Sequence, residues 1–289
     1  MAGFIVGDIG NPYFAEVIRG IEAALSPSGW SLVLANTDFN PEKEMGVVNH
    51  LLSGAVDGLI VCDTTTSVEA LAKVTGQIGV PVVLLNRTSG PVPYAHMGAV
   101  RTDHRGAIRE AITHLARDGH RRIGLLVADR STFMPRERLE GYRMSLSDLG
   151  IPYEESLVIR GKLSIEGGRQ AGIRLLRLPK PPTAVLCHGD QMAMGLAMAC
   201  NQESVRVPED LSIIGWDDIP FASTITPPLT TIRVPRFDLG RCAGEMLVRL
   251  IKVEQTDTDM ELPLTLVHRG SCCPPGQSRE RICDSGSAG

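Results

Sequence analysis

Short apolar runs alternate with amphipathic stretches along most of the 289-residue chain. The short runs predict buried strands, and the stretches with apolar residues three and four apart predict helices. Ten strands are expected, at residues 3–7, 31–35, 58–62, 82–85, 99–102, 123–127, 156–159, 184–187, 212–215 and 264–268. Seven helices are expected between them, at residues 12–25, 41–53, 68–78, 104–118, 136–149, 165–177 and 191–201. This strict alternation predicts an α/β fold with parallel, doubly wound sheets.

The alternation restarts after about residue 102, and ten strands are too many for one ordinary sheet. We therefore expect two similar subdomains joined by several crossings, which form a hinge. A late helix at residues 237–252 has no strand directly before it, so it is expected to return to the first subdomain. The predicted boundaries are 1–101 plus 235–262 for the N-terminal subdomain and 102–234 plus 263–273 for the C-terminal one. Residues 255–260 are predicted to be a polar loop, and residues 274–289 a disordered tail.

Composition narrows the functional classes. Only 4% of the residues are aromatic, so aliphatic side chains must fill the core, as is typical of parallel sheets. The formal net charge is -4, which is not the electrostatic pattern of a nucleic-acid-binding surface. Any contact with DNA must then come from a segment that this sequence does not contain.

The termini and the cysteines indicate a cytoplasmic protein. Residues 1–6 lead directly into a strand, without the basic region or cleavage site of a signal peptide, and no apolar run is long enough to span a membrane. The seven cysteines are scattered, and neither they nor the seven histidines show the spacing of a metal site. We expect buried free thiols, no metal and no cofactor.

Candidate binding residues follow the first strand. In an open parallel sheet, ligands bind beyond the carboxyl ends of the strands. Asn11 and Pro12 form a good helix start there. Tyr13 and Phe14 are adjacent aromatics in a chain with few of them, so one ring could stack on a sugar or a base. A capped helix with no binding role is the alternative.

Polar side chains follow other strands in the same way. Four candidates come after predicted strands, namely Asp63, Arg87, Asp190 and Asp217. Arg87 follows Asn86, and Asp217 precedes Asp218. Arg136 and Arg138 begin a helix after the sixth strand. Carboxylates accept hydroxyl donors, and guanidinium groups offer a rigid fork of donors, so the set suits a hydroxyl-rich ligand. The alternative is a set of Arg–Asp ion pairs within the protein. Because all these residues lie at strand ends, a binding cleft is the favoured interpretation.

Several strings resemble the lactose-repressor (LacI/GalR) family of transcription regulators. They are DIGNPYFAEVIRGI at 8–21, LANTD at 34–38, VDGLI at 56–60, GHRRIG at 119–124, RLEGY at 138–142, DQMAMG at 190–195, VPEDLSIIGWDD at 207–218 and TPPLTTI at 226–232. The resemblance covers residues 3 to about 270.

The resemblance implies the type I periplasmic-binding-protein-like fold, with an effector bound in the cleft between two lobes. It also implies a homodimer, and operator DNA bound by a helix-turn-helix head that is absent from this chain. It places the effector contacts at Asn11, Tyr13, Phe14, Arg87, Arg136, Arg138 and Asp217. In this pattern Asp217 holds sugar hydroxyls, and Arg138 reaches ligand oxygens.

Three positions depart from the family's sugar-binding pattern. Gly189 stands where an asparagine is common, Leu163 where an aromatic ring packs on the sugar, and Val234 near a position where a polar residue can reach the ligand. Each change removes a hydrogen-bonding or stacking group, so a plain hexose or pentose is in doubt.

Two other classes of protein compete with this interpretation. A solute-binding protein of a transport system would share the fold but would need a signal peptide. A Rossmann-type enzyme would need a glycine-rich dinucleotide motif, whereas Gly7 and Gly10 are not followed by a third glycine at the required position. The sequence therefore predicts an effector-sensing and dimerising core of a regulator, not an enzyme.

Overall fold

The computed structural model describes residues 1–54, 56–63, 65–86, 92–130, 132–254 and 257–276. These residues form two compact units. Unit 1 comprises Met1–Ile108, Asp129–Gly141 and Ile232–Thr265, and unit 2 comprises Arg109–Ala128, Tyr142–Thr231 and the chain from Leu266 onward. The subdomain boundaries predicted from the sequence remain a prediction; they differ from these by several residues at the crossings, and they place Asp129–Gly141 in the C-terminal subdomain and not in unit 1.

The strands and helices follow the predicted alternation. The strands are β1 (Ala2–Val6), β2 (Leu32–Asn36), β3 (Gly58–Cys62), β4 (Val82–Leu85), β5 (Met97–Thr102), β6 (Ile123–Ala128), β7 (Val158–Gly161), β8 (Ala184–Cys187), β9 (Ser212–Asp217), β10 (Thr230–Arg233), β11 (Asp259–Leu262) and β12 (Thr265–Val267). The α-helices are α1 (Tyr13–Leu25), α2 (Pro41–Leu52), α3 (Val68–Ile78), α4 (His104–Arg117), α5 (Phe133–Asp148), α6 (Ile165–Leu176), α7 (Asp190–Gln202) and α8 (Arg236–Ile251).

The strands form two six-stranded sheets, which confirms the predicted α/β class. Their orders are β11-β5-β4-β3-β1-β2 and β12-β10-β9-β8-β6-β7. β1 pairs in parallel with both β2 and β3, and β6 pairs in parallel with both β7 and β8. In each sheet the first strand therefore lies inside, and the chain moves outward from it in both directions. This is the doubly wound arrangement that places ligand-binding residues beyond the carboxyl ends of the strands.

Both faces of the first sheet are covered by helices, as the all-apolar strands require. Along β3, Leu59 and Val61 belong to the apolar cluster that α2 and α3 complete with Leu51 and Leu71. Gly58 lies against α8 on the other side, where a Cβ would come within 2.8 Å of the Leu247 side chain. Alternation along a single strand thus assigns each side chain to one of two cores.

Glycines allow close helix crossings in both units. A Cβ on Gly20 of α1 would collide with the Phe237 carbonyl oxygen of α8, and a Cβ on Gly195 of α7 would collide with the Ile165 carbonyl oxygen of α6. The two backbones touch at these points, so no other residue fits without separating the helices. α8 thus packs on α1, and both helices belong to unit 1.

The elements differ from the sequence prediction at three places. α5 begins at Phe133 and not at Arg136, because Pro135 fits the first turn of a helix, where its missing N–H is not needed. β10 was not predicted as a strand. The predicted loop at 255–260 was wrong at its end, because Asp259 and Met260 begin strand β11.

Pairing with β5 explains why so polar a segment forms a strand. Arg101 of β5 donates to both carboxylate oxygens of Asp259, at 2.8 and 2.7 Å, and to Glu261 at 3.1 Å. This contact is distant in sequence, so the local pattern does not reveal it. Of the predicted tail, 277–289 lie outside the described residues, and residues 275–276 form a turn.

Candidate functional site

The segment after β1 begins its helix in the way the sequence predicted. Asn11 Oδ1 accepts a hydrogen bond from the Tyr13 backbone N–H at 3.0 Å, so the side chain caps the helix across Pro12. Tyr13 and Phe14 are buried, with 7% and 6% of their surfaces exposed, and their rings meet edge to face with centroids 5.1 Å apart. Packing therefore fixes both rings in one orientation.

A chain of hydrogen bonds links Tyr13 to the ends of β4 and β5. Asn86 Nδ2 donates to the Tyr13 hydroxyl at 3.2 Å, and Thr102 Oγ1 donates to Asn86 Oδ1 at 3.0 Å. Thr102 Oγ1 also lies 2.9 Å from His104 Nε2. Because the threonine hydroxyl has a single proton, His104 Nε2 is the donor in that last contact. We call these four residues the Tyr13 chain.

Electrostatics keeps His104 neutral. Its pKa is lowered well below the usual value, first by burial and then by the positive charge of Arg138. Arg138 lies in α5 and is itself only 7% exposed, whereas Arg136 is exposed. The two predicted arginines therefore differ: Arg138 adjoins the Tyr13 chain within unit 1, and Arg136 faces solvent.

A second group lies at the ends of β3, β1 and β2. The Arg130 guanidinium carbon is 3.4 Å from the centroid of the Phe39 ring, and Arg130 Nη1 is 3.9 Å from Asp63 Oδ2. Burial lowers the pKa of Arg130, whereas the negative charges of Asp63 and Asp8 oppose that change. We call Arg130, Phe39, Asp63 and Asp8 the Arg130 cluster. Asp63, one of the predicted site residues, thus lies beside a guanidinium group.

Several residues at the strand ends have a left-handed backbone. The φ angle is +55° at Phe39, +48° at Asp63, +52° at Asn86, and +104° at Asp217. Residues other than glycine adopt positive φ at a cost of order 1–3 kcal/mol, and such residues concentrate at binding sites. The turns after β2, β3, β4 and β9 therefore adopt backbone conformations that cost local stability but fix the direction in which a side chain points.

In unit 2, Asp190 is fully buried at the start of α7. Its Oδ2 accepts from the Ile219 backbone N–H at 2.8 Å, and its Oδ1 accepts from Thr231 Oγ1 at 2.6 Å. Burial first, and the charge of Asp217 second, raise the pKa of Asp190 to about 8. Both carboxyl oxygens are engaged by the protein, so any contribution of Asp190 to ligand binding is made by holding the turn at residues 217–219.

Two of the three departures from the sugar-binding pattern, Gly189 and Leu163, lie together beside Asp217. A Cβ on Gly189 would come within 2.8 Å of Leu163 Cδ1 and 3.4 Å of Asp217 Oδ2. Leu163 therefore fills the space next to Gly189, and Asp217 has an apolar neighbour there. The adjacent Asp218 forms an ion pair with Arg269, whose Nη2 donates a hydrogen bond to Asp218 Oδ1 at 2.6 Å.

Comparisons with known proteins agree with this arrangement. Residues 112–272 match the family described as periplasmic binding protein-like domain. The HTH-type transcriptional repressor CytR of Escherichia coli (strain K12) is 32% identical over 268 residues, which cover 92% of this chain and 77% of CytR. The chain belongs to the LacI family of transcriptional regulators. It corresponds to the effector-binding core of such a regulator, as the sequence predicted, and proteins of this family are not enzymes.

Solved structures of other transcriptional regulators share the fold. A regulator from Enterococcus faecium, solved with bound ribose, has a TM-score of 0.84 and 30% identity and covers 94% of this chain and 98% of its own. The CelR–cellobiose complex has a TM-score of 0.84 and 29% identity and covers 93% of this chain and 84% of its own. Among the described residues, no helix is long and apolar enough to cross a membrane, and no cluster of side chains could hold a metal ion.

Sequence reasoning missed part of this LacI-family site. Arg87 lies outside the described residues. Thr102 ends a predicted strand and His104 begins a predicted helix, but neither was chosen because only charged, amide and aromatic side chains at strand ends were taken as candidates. Phe39 and Arg130 were overlooked because their roles depend on a contact across 91 positions of sequence. A signal was available for Arg130, which directly follows Asp129 at the end of a predicted strand.

Proposed function

We propose that this LacI-family core senses a small molecule containing a sugar, held by side chains at the carboxyl ends of its parallel strands. The observation that carries the proposal is Asp217. This carboxylate ends strand β9, whose other residues are buried, lies on a left-handed backbone at φ +104°, and is partly exposed beside the apolar Leu163. A carboxylate fixed in this way accepts two hydroxyl donors, and the apolar neighbour packs against carbon.

The polar groups of unit 1, taken by themselves, also suit a ligand that contains a sugar. The Tyr13 chain, Asn11 and Arg138 present amide, hydroxyl and guanidinium groups at neighbouring strand ends. Such a set can satisfy hydroxyl groups that both donate and accept. Two structural relatives were solved with ribose and with cellobiose, so this fold accepts ligands with one sugar ring and with two.

The sensing is coupled to transcription through DNA. Operator DNA is bound by a helix-turn-helix head outside this sequence, and the effector changes operator affinity through the difference between its affinities for two conformations. The chain alone is expected to give no sequence-dependent gel shift at physiological salt, consistent with its net charge of -4.

The regulator acts as a homodimer. An open groove of about 830 Å³ on unit 2 is lined by the apolar side chains of Met194, Met198 and Ile225 and flanked by Arg206 and Glu209. Charges of both signs on one patch allow it to pair with a second copy of itself about a two-fold axis. We assign the groove to this second copy.

The compartment is the cytoplasm. Cys187, Cys200 and Cys242 are buried free thiols, and burial raises the pKa of the Cys200 thiol to about 12. Thiols kept protonated in this way are suited to a reducing compartment.

A thermal-shift screen tests the proposed function. The purified chain is heated with sugars, glycosides, sugar phosphates, polyols and nucleobases, each at millimolar concentration. A compound that binds only the folded chain raises Tm by mass action, and we expect this from at least one sugar-containing compound. If sugars and glycosides leave Tm unchanged while another class raises it, the proposal is wrong.

A further inference from the structure

We propose that Arg130 and Phe39 bind a second ring of the effector, so that the natural ligand is an uncharged two-ring glycoside and not a free monosaccharide. This inference rests on the proposed function and specifies the ligand class. The shared chemistry of such ligands is a sugar joined by a glycosidic bond to another ring that carries hydrogen-bond acceptors.

The first argument is that stacking on Phe39 and an ion pair with Asp63 hold the Arg130 guanidinium in place, whereas its hydrogen-bond donors are not used by the protein. Its side chain is 17% exposed, it stacks on Phe39, and its nearest carboxylate contact is 3.9 Å, too long for a hydrogen bond. Within the described part of the chain, none of its five N–H donors makes a hydrogen bond. A guanidinium withdrawn from water with unused donors is poised to bind acceptor atoms of a ligand.

Phe39 is held firmly enough to act as the support. A Cβ on Gly7 would collide with the Phe39 ring, so the ring lies directly on the backbone at the end of β1. The left-handed backbone at Asp38 and Phe39, with φ of +54° and +55°, brings the ring to this position. The stacked pair is therefore a fixed platform, since stacking on a packed ring restricts the guanidinium plane.

The second argument is the distance along the sheet edge. Asn86 and Thr102 of the Tyr13 chain lie at the ends of β4 and β5. The other group has Asp63, Asp8 and Phe39 after β3, β1 and β2, in the strand order β5-β4-β3-β1-β2. The centres of the two groups are about two and a half strand spacings apart, or about 12 Å. One sugar ring cannot reach both groups, whereas two linked rings can.

The third argument concerns charge. Asp8 and Asp63 lie close enough to Arg130 to act on its charge, so the cluster has two carboxylates and one guanidinium. An anionic group would meet net negative charge there. A neutral ring with carbonyl, ring-nitrogen or hydroxyl acceptors can accept from Arg130 without that repulsion, and its donors can reach a carboxylate.

Calorimetry with paired ligands tests the inference. The pairs are glucose with cellobiose and ribose with inosine, so that one arm reports a second sugar and the other a base. For the wild-type chain we expect the two-ring member of one pair to bind at least tenfold more tightly than its one-ring partner. For Arg130→Met and Phe39→Leu we expect this ratio to fall at least fivefold.

The ratio separates ligand binding from a structural role. If Arg130 only stabilises the fold, its loss weakens both members of a pair equally and leaves the ratio unchanged, which would overturn the inference. Arg130→Lys, which keeps the charge but not the planar fork, is the second variant and should also lower the ratio. Arg19→Lys, on the exposed surface of α1, is the matched control. If the wild type binds both members of each pair equally tightly, the inference of a second ring is refuted and the proposed function stands. If it binds no sugar or glycoside at all, both the inference and the proposed function are refuted.

Discussion

The substitution Asp190→Asn should remove a pH dependence of stability from unit 2. In the folded chain burial and Asp217 raise the pKa of Asp190 from 3.8 to about 8, so its carboxyl group is protonated at neutral pH. In the unfolded chain the same group is ionised above about pH 4. The folded state therefore binds one more proton between about pH 4 and 8, and the stability that Asp190 contributes falls as the pH rises through this window.

The size of this change in the free energy of unfolding follows from the single extra proton that the folded chain binds. A difference of one bound proton changes the free energy of unfolding by about 1.4 kcal/mol for each pH unit. Between pH 5 and 7 the wild type should therefore lose about 3 kcal/mol relative to Asp190→Asn. The asparagine can still accept from the Ile219 N–H and can donate to Thr231 Oγ1, so the turn at 217–219 keeps its hydrogen bonds.

Urea unfolding at several pH values measures this difference. Trp216 is fully buried in β9 beside the turn, and a Trp30→Phe background makes it the reporter of unit 2. Asp148→Asn, at an exposed position of α5, is the control and should keep the wild-type slope. Parallel stability profiles for the wild type and Asp190→Asn would show that Asp190 is ionised in the folded chain and would refute the reasoning.

Two further substitutions test the packing and the assembly. Gly195→Ala should lower the free energy of unfolding by about 1–3 kcal/mol, because the added methyl group collides with the Ile165 carbonyl oxygen. In α2, a methyl group on Gly46 would meet no atom within 4 Å, so Gly46→Ala should stabilise the chain by up to about 1 kcal/mol. Equal effects of the two substitutions in chemical denaturation would contradict the account. Met198 is a groove residue that is 52% exposed, and Met198→Asp should convert dimers to monomers in sedimentation velocity. Met144 on α5 is equally exposed, and Met144→Asp should leave the dimer intact. A dimer that survives Met198→Asp would exclude the groove as the interface.

Most of the fold could be predicted because its elements are strongly patterned. Apolar strands such as β3 and β6 and amphipathic helices such as α1 stand out locally. The strand β11 could not be predicted, because Asp259 and Glu261 are polar and are held in the sheet by Arg101, about 160 positions away. The helix α5 begins three residues before its predicted start, and Pro135 is tolerated there because it lies in the first turn.

The candidate site was predictable as far as strand ends identify it. Asn11, Asp63 and Asp217 follow strands and were recognised for that reason. The Tyr13 chain and the Arg130 cluster depend on which strands are neighbours in the sheet, and the sequence gives no order for them. Asp190 was recognised by its position, but its burial and its bonds to Ile219 and Thr231 depend on long-range packing.

The most direct test of the central claim is calorimetry of Asp217→Ala with the compound identified by the thermal-shift screen. Loss of two charge-assisted hydrogen bonds should cost about 3 kcal/mol or more, which corresponds to an affinity at least about 100-fold weaker. Asp148→Ala should bind as the wild type does, and circular dichroism should show both variants folded. An unchanged affinity in folded Asp217→Ala would contradict the assignment of this strand end as the place where the effector is held.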